Sequence, residues 1–449
     1  MSKKIAVVGS NFASLIFLGL AQRRGVDVLY FDLATSLGGH FKGIRVGDRS
    51  LDLGMNFLDL SYDDRNEEKP LSTFETTRRY GWLAHTSQVR EVLEDIFHPI
   101  LAPAPTLIHC GDMGPDILFG DNLDLLKDKK AAPPDEDKAC FKHPRYKLAT
   151  GVYDYLSYAE ASNTNNGQFI HEQFATPWLK KLGVDAHEIL ARYHRHVWLP
   201  LYYPESIDSF IKTGIPDFAP YPLYRPKDRT IAEAVLLASE SLFLKEGISR
   251  RSQPDHIESQ SNGLWSIEGD SDWEIIWCCR PEEILNFLGL QQEAPKVKTA
   301  GSPLGIAFFK LPSSSTVLEK TTCIFNTSPH HLSCRLFGQN DGAISVEYSL
   351  HRAFEKNLSK ETIIATLCSE LAEILKITAP TPADLTHHLQ SRNAILPPTH
   401  QNVRSLNNFH KFLSRRYPRI RLTANLNGFG LSSMNDQVAQ SLFHAYELF

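Results

Sequence analysis

An α/β fold is predicted, with a Rossmann-like parallel-sheet domain interleaved with an α+β domain that holds an antiparallel sheet and helices. Three observations predict it. A strand, turn, helix and strand follow one another over residues 5–31. Four alternating apolar runs, 306–311, 322–326, 333–337 and 344–350, read as antiparallel strands, with an amphipathic helix after them at 360–376. The 449 residues are enough for two substantial cores.

Residues 5–8 (IAVV) are a short, mostly β-branched run, Gly9 is the turn, and residues 12–24 carry apolar side chains at helical spacing. Gly25 closes that helix, and a second buried strand over 26–31 ends at Asp32. A unit of about 30 residues with a carboxylate about 20 residues beyond its glycine is the context of a dinucleotide-binding fingerprint. Gly9 allows the tight turn, the N–H groups of Phe12, Ala13 and Ser14 at the helix start face an anionic pyrophosphate, and Asp32 accepts hydrogen bonds from ribose hydroxyls. Where the motif wants G-x-G-x-x-G, the chain has Gly9, Asn11 and Ser14. Asn tolerates positive φ, so the turn survives, but its side chain fills space where backbone and phosphate should meet; Ser14 is small enough for close helix–strand packing. The competing reading is an ordinary βαβ unit without a nucleotide.

Residues 61–69 and 131–143 are polar and charged, and read as exposed loops. Between them, 89–97 has helical periodicity and 107–119 is mixed, an insertion expected on the substrate side. Residues 151–210 read as helical and rich in aromatics. His194 and His196 lie on different sides of a helix with no Cys or carboxylate at ligand spacing, so no metal site is read there. Hydrophobic content of 42%, charged content of 22% and a net charge of −5 describe an ordinary globular protein and argue against a general nucleic-acid binder. Seven cysteines, an odd number without C-x-x-C, suit a reducing compartment; Cys278-Cys279 reads as two small core residues inside an apolar strand. The N-terminus leads directly into the first strand, and no apolar run approaches the ~20 residues of a membrane span, so a cytoplasmic location is expected, with membrane-surface association left open.

Leu37-Gly38-Gly39-His40, residues 44–46 and Leu51-Asp52-Leu53-Gly54-Met55-Asn56 follow in the order of a flavoprotein pattern, a glycine-pair turn and then D-x-G. The chain resembles the FAD-dependent superfamily of amine oxidases, protoporphyrinogen oxidase and UDP-galactopyranose mutase. The resemblance implies that Gly38, Gly39 and His40, which replaces the usual Arg or Asn, line the FAD, and that Gly54 and Asn56 lie near the flavin. A second block, Tyr224-Arg225-Pro226-Lys227-Asp228 with the helix 230–245, a hairpin and a strand reaching Trp277, is similar to the segment that returns the chain to the FAD domain; residues 254–257 would approach the adenine. A third block, residues 420–442, resembles the closing strand, glycine turn and final helix, most nearly in the mutase-like branch. It implies that Asn425, Gly428 and Met434 contact the cofactor, the helix N-terminus facing the flavin's pyrimidine edge. Asn425, Asn427 and Ser433 stand where that branch has Arg, Gly and Asp. The same order divides the chain into an FAD-binding domain of 1–60, 225–300 and 415–449 and a substrate domain of 61–224 and 301–414.

The expected function is an FAD-dependent oxidoreductase that passes a hydride from a small organic substrate to the flavin. Two alternatives stay open, a mutase-like flavoenzyme acting on a nucleotide sugar without net redox change, and a nucleotide-binding relative without catalysis. No triad or carboxylate pair stands out, and no catalytic residue is assigned.

Overall fold

Both ends of the chain build the parallel sheet. The computed structural model describes residues 4–32, 37–54, 57–60, 86–97, 101–104, 106–115, 156–165, 168, 171–197, 199, 223–251, 257–259, 265–267, 272–279, 283–285, 299–312, 315–319, 321–339, 342–423 and 433–449. Lys4–Val8 lies at the centre between Val28–Phe31 and Trp273–Trp277; Ile248–Arg251 extends one edge and Ile420–Leu422 the other, all parallel. A parallel sheet covered on both faces needs apolar side chains on both, which is why IAVV and WEIIW read as runs rather than alternations. Ile5 and Val7 face the helices Phe12–Arg23, Ile231–Phe243 and Met434–Leu448. Ala6, Val8, Ile275 and Trp277 face Phe409 and Leu413 of the helix His400–Arg416. The strand ends at Trp277, so Cys278 and Cys279 lie just beyond it rather than inside it.

Seven strands form the second sheet, in the order Leu385–Ile395, Ser302–Lys310, Ala343–Ser349, Ser333–Gly338, Cys323–Asn326, Thr106–Cys110, Asp112–Pro115. Every pairing is antiparallel except Cys323–Asn326 with Thr106–Cys110, which makes the sheet mixed. Helix Lys360–Leu375 covers it through Ile363, Ile364, Leu367, Leu371 and Ile374. The helix Thr86–Phe97 does not lie on the substrate side, as its neighbourhood in the sequence suggested. Its stripe of Val89, Leu93 and Phe97 joins the core of the parallel-sheet domain, and Asp95 pairs with Arg23 at 2.5 Å. A three-stranded sheet of Leu58–Asp59, Leu223–Pro226 and Leu101–Pro103 also forms. Among the described residues no helix is long and apolar enough to cross a membrane.

The final helix is tied to the closing strand by His444, whose buried ring donates from Nε2 to the Leu422 carbonyl at 3.1 Å. Burial holds its pKa down to about 3. The unfolded chain therefore binds a proton at this site near pH 6.5 that the folded protein refuses until about pH 3, and stability falls as the pH drops through that window. We expect His444 to contribute a slope of up to about 1.4 kcal/mol per pH unit there. Urea unfolding at steps from pH 7 to pH 4 checks this: wild type should lose more stability over the series than His444→Gln.

Candidate functional site

Gly9 ends the first strand with φ +102°, its N–H donating to the Phe31 carbonyl at 3.1 Å. A Cβ here would stand 2.2 Å from Cys279 Sγ and 2.9 Å from the Cys278 carbonyl carbon. The returning strand thus leaves no room for a side chain, a constraint the turn alone does not impose. Asn11 does not use positive φ: at φ −76° and ψ 179° it is the N-cap of the first helix, its Oδ1 accepting from Ser14 N at 2.9 Å. Ser14 is buried and its hydroxyl donates to the Gly9 carbonyl at 2.7 Å. The N–H of Ala13 donates to Gln437 Oε1 of the final helix at 3.0 Å. Phe12 is buried and meets Phe41 edge-on at 5.4 Å. The glycine pair closes over this helix start, with Gly39 N–H donating to the Ser10 carbonyl at 2.8 Å and its Cβ position 3.2 Å from Asn11 Cα.

Asp32 stands just past the end of the second strand. Its carboxylate accepts from Ser10 Oγ at 2.8 Å and from the Tyr30 hydroxyl at 3.3 Å, and pairs with Arg250. The Arg250 guanidinium lies 4.9 Å over Phe243, which stacks on Tyr30. Burial pushes the Tyr30 hydroxyl's pKa upward, so it stays a donor. Arg250 was not singled out from the sequence; its register opposite Tyr30 on the neighbouring strand is what brings it there.

His40 sits in the turn Gly39–Lys42 against Phe41, with ring centroids 3.8 Å apart. His40 is exposed, and the protein packed against its ring shifts its pKa downward, toward the neutral form. Asp52 of the D-x-G segment is buried and accepts from Ala232 N at 2.8 Å and Ile231 N at 3.3 Å, supplementing the Thr230–Glu233 capping box of that helix. Met434 is the buried first residue of the final helix, and Ser433, reciprocally bonded with Asp436, is its N-cap. Asn56, Asn425 and Gly428 lie outside the described residues, as do residues 252–256.

Gly54 leads to residues that sequence reasoning missed. A Cβ on Gly54 would stand 2.1 Å from Glu347 Oε1. Glu347 faces Arg335 across the second sheet and takes a two-pronged contact from its guanidinium at 2.6 and 2.5 Å; Lys181 Nζ lies 3.6 Å from the same carboxylate. Lys181, Arg335 and Glu347 are 2%, 6% and 3% exposed, so the three charged groups meet inside the protein. Burial, followed by the neighbouring Arg335 charge, lowers the Lys181 pKa to about 8. The adjacent Lys180 Nζ donates to the Ser328 carbonyl at 2.7 Å. The signal in the sequence is a lysine pair inside the apolar string Trp178-Leu179-Lys180-Lys181-Leu182, since lysines are almost never fully buried unless paired.

With this geometry in view, likeness to known proteins is informative. Residues 7–89 match the NAD(P)-binding Rossmann-like domain family. Reduced UDP-galactopyranose mutase superposes with a TM-score of 0.63 at 12% identity, over 100% of this chain and 96% of that one. The chain has the fold shared by this mutase and the flavoprotein amine oxidases. Putrescine oxidase bound to putrescine gives 0.57 at 12% identity over 100% and 99% of the two chains, and cyclohexylamine oxidase from Brevibacterium oxydans IH-35A gives 0.56 at 13% over 100% of both. No curated protein matches the chain by sequence.

Two substitutions test the packing of the site. Gly9→Ala should destabilise the protein by about 2–4 kcal/mol, through a strained φ and a clash with Cys279. Adding Cys279→Ala should recover only part of this, because the backbone of Cys278 still obstructs; chemical denaturation of the single and double variants measures both. Glu347→Gln removes the buried carboxylate charge that Arg335 and Lys181 both face and should cost about 3–5 kcal/mol by the same measurement.

Proposed function

We propose that the chain is an FAD-dependent oxidoreductase of the amine oxidase and protoporphyrinogen oxidase type, acting in the cytoplasm on a small organic molecule and not on nucleic acid. The observation that carries this reading is the meeting of the two chain ends at the first helix, where Ala13 N–H reaches Gln437 and the strand Ile420–Leu422 completes the sheet. Support comes also from neighbours that share the fold over the whole chain length. The residues suit a dinucleotide. The turn at Gly38–Gly39 packs on the helix start, with Gly39 N–H donating to the Ser10 carbonyl, and Asp32 is oriented beside it through Ser10.

In this reading Gly9, Asn11, Phe12, Ala13 and Ser14, with Asn425 and Gly428, would hold the pyrophosphate, Asp32 would serve the ribose, Gly38, Gly39 and His40 would line the length of the cofactor, and Gly54, Asn56 and Met434 would lie toward its flavin end. The segments 1–60, 225–300 and 415–449 would hold the cofactor, and 61–224, apart from the helix Thr86–Phe97, with 301–414 would hold the substrate. When bound, FAD supplies the hydride acceptor. The protein's part is to orient and to control charge. The Tyr30–Asp32–Arg250 stack fixes the carboxylate, and neutral His40 places a polar group along the turn. Lys181, near pKa 8 and joined to Gly54 through Glu347, can hold or release a proton at Nζ close to neutral pH. A nucleotide-binding relative without catalysis is the second reading, favoured by Asn11, Ser14, Asp228 and Arg229 where the family pattern has glycines. A visible absorbance spectrum of the purified protein should show a flavin that candidate amines or other small donors bleach anaerobically. Flavin that only dithionite bleaches would favour the second reading; no flavin absorbance, and no uptake on reconstitution, would refute both.

A further inference from the structure

The first turn of an α-helix presents backbone N–H groups that helix hydrogen bonds cannot satisfy, and a pyrophosphate at a dinucleotide site takes them. Here two are already filled. Ser14 N–H goes to the N-cap Asn11 at 2.9 Å, a local contact. Ala13 N–H goes to Gln437 Oε1 at 3.0 Å, a contact that crosses from one end of the chain to the other. Gln437 is 4% exposed. The final helix needs no help from that amide to hold its position: Ser441 Oγ lies 3.0 Å from the Ala13 carbonyl and 2.8 Å from the Gln437 carbonyl, and Val438 and Ala439 pack into the same core as Phe12 and Ile16. The helix therefore stays docked when the contact between Gln437 and Ala13 is exchanged for another acceptor. The Gln437 amide is also neutral, so it satisfies the donor while leaving the positive end of the helix dipole uncompensated.

We propose that Gln437 is an internal cap that competes with the cofactor's pyrophosphate for Ala13 N–H and so sets how tightly FAD is held. This rests on the FAD reading above. Binding exchanges one neutral acceptor for a charged one, and the displaced amide weakens the observed affinity by the worth of a single hydrogen bond. Removing the acceptor tightens binding roughly fivefold. Placing a carboxylate there keeps Ala13 satisfied but sets a negative charge against the phosphates, and weakens binding roughly tenfold or more.

The test is a titration of apoprotein with FAD, followed by quenching of flavin fluorescence, for wild type, Gln437→Leu and Gln437→Glu, with riboflavin as a phosphate-free control and circular dichroism to confirm folding. Gln437→Leu should bind FAD more tightly than wild type and Gln437→Glu more weakly, while riboflavin, lacking the pyrophosphate, should not distinguish the three. Wild type that binds FAD together with a Gln437→Leu protein of equal or weaker affinity would overturn the proposal and leave the FAD reading intact. Should Gln437→Leu fail to fold, Gln437→Glu decides: affinity equal to wild type overturns the proposal. Absence of FAD binding by every protein would overturn the FAD reading and this proposal with it.

Discussion

The approach of Cys278 and Cys279 to Gly9 is the constraint on which the site depends. The strand Trp273–Trp277 must lie directly beside Lys4–Val8, and its exit passes so near the first turn that only a residue without a side chain fits. That proximity fixes where the first helix starts. The helix start in turn supports the Gly38–Gly39 turn, and the final helix docks beside it through Ser441 and Gln437. Residues separated by more than 400 positions thus meet because the middle of the chain returns to the first strand.

The parallel sheet was legible because its strands obey a simple rule. Central strands covered on both faces are short apolar runs, and both IAVV and WEIIW qualify. The strands over 302–349 were legible by alternation and length. Leu385–Ile395 was not: LTHHLQSRNAI is largely exposed at the sheet edge, so no apolar period marks it. Thr86–Phe97 was recognisable as a helix from its stripe, but a stripe does not say which core it enters.

The site was legible to different depths. Gly9 and Asp32 were found by spacing, because the order of strand, turn and helix restricts what each position can do, and the glycine pair by its resemblance to the flavoprotein pattern. Asn11 was noticed as a departure, yet its role as an N-cap depends on a side-chain hydrogen bond that spacing does not specify. The Lys181–Glu347–Arg335 cluster joins three elements distant in sequence, with Gly54 as a fourth contact, and only the sheet register shows that Arg335 and Glu347 are opposite one another. These charges meet inside the protein, behind the D-x-G turn, and burial pulls the Lys181 pKa downward.

The proposed cofactor site is assembled from the two ends of the chain. Hydrogen–deuterium exchange with and without FAD addresses it directly, since each amide reports its own protection. FAD held by such a site slows exchange together in residues 9–14, 38–40 and 433–437. Protection confined to the N-terminal segment, or absent from all three, would contradict it.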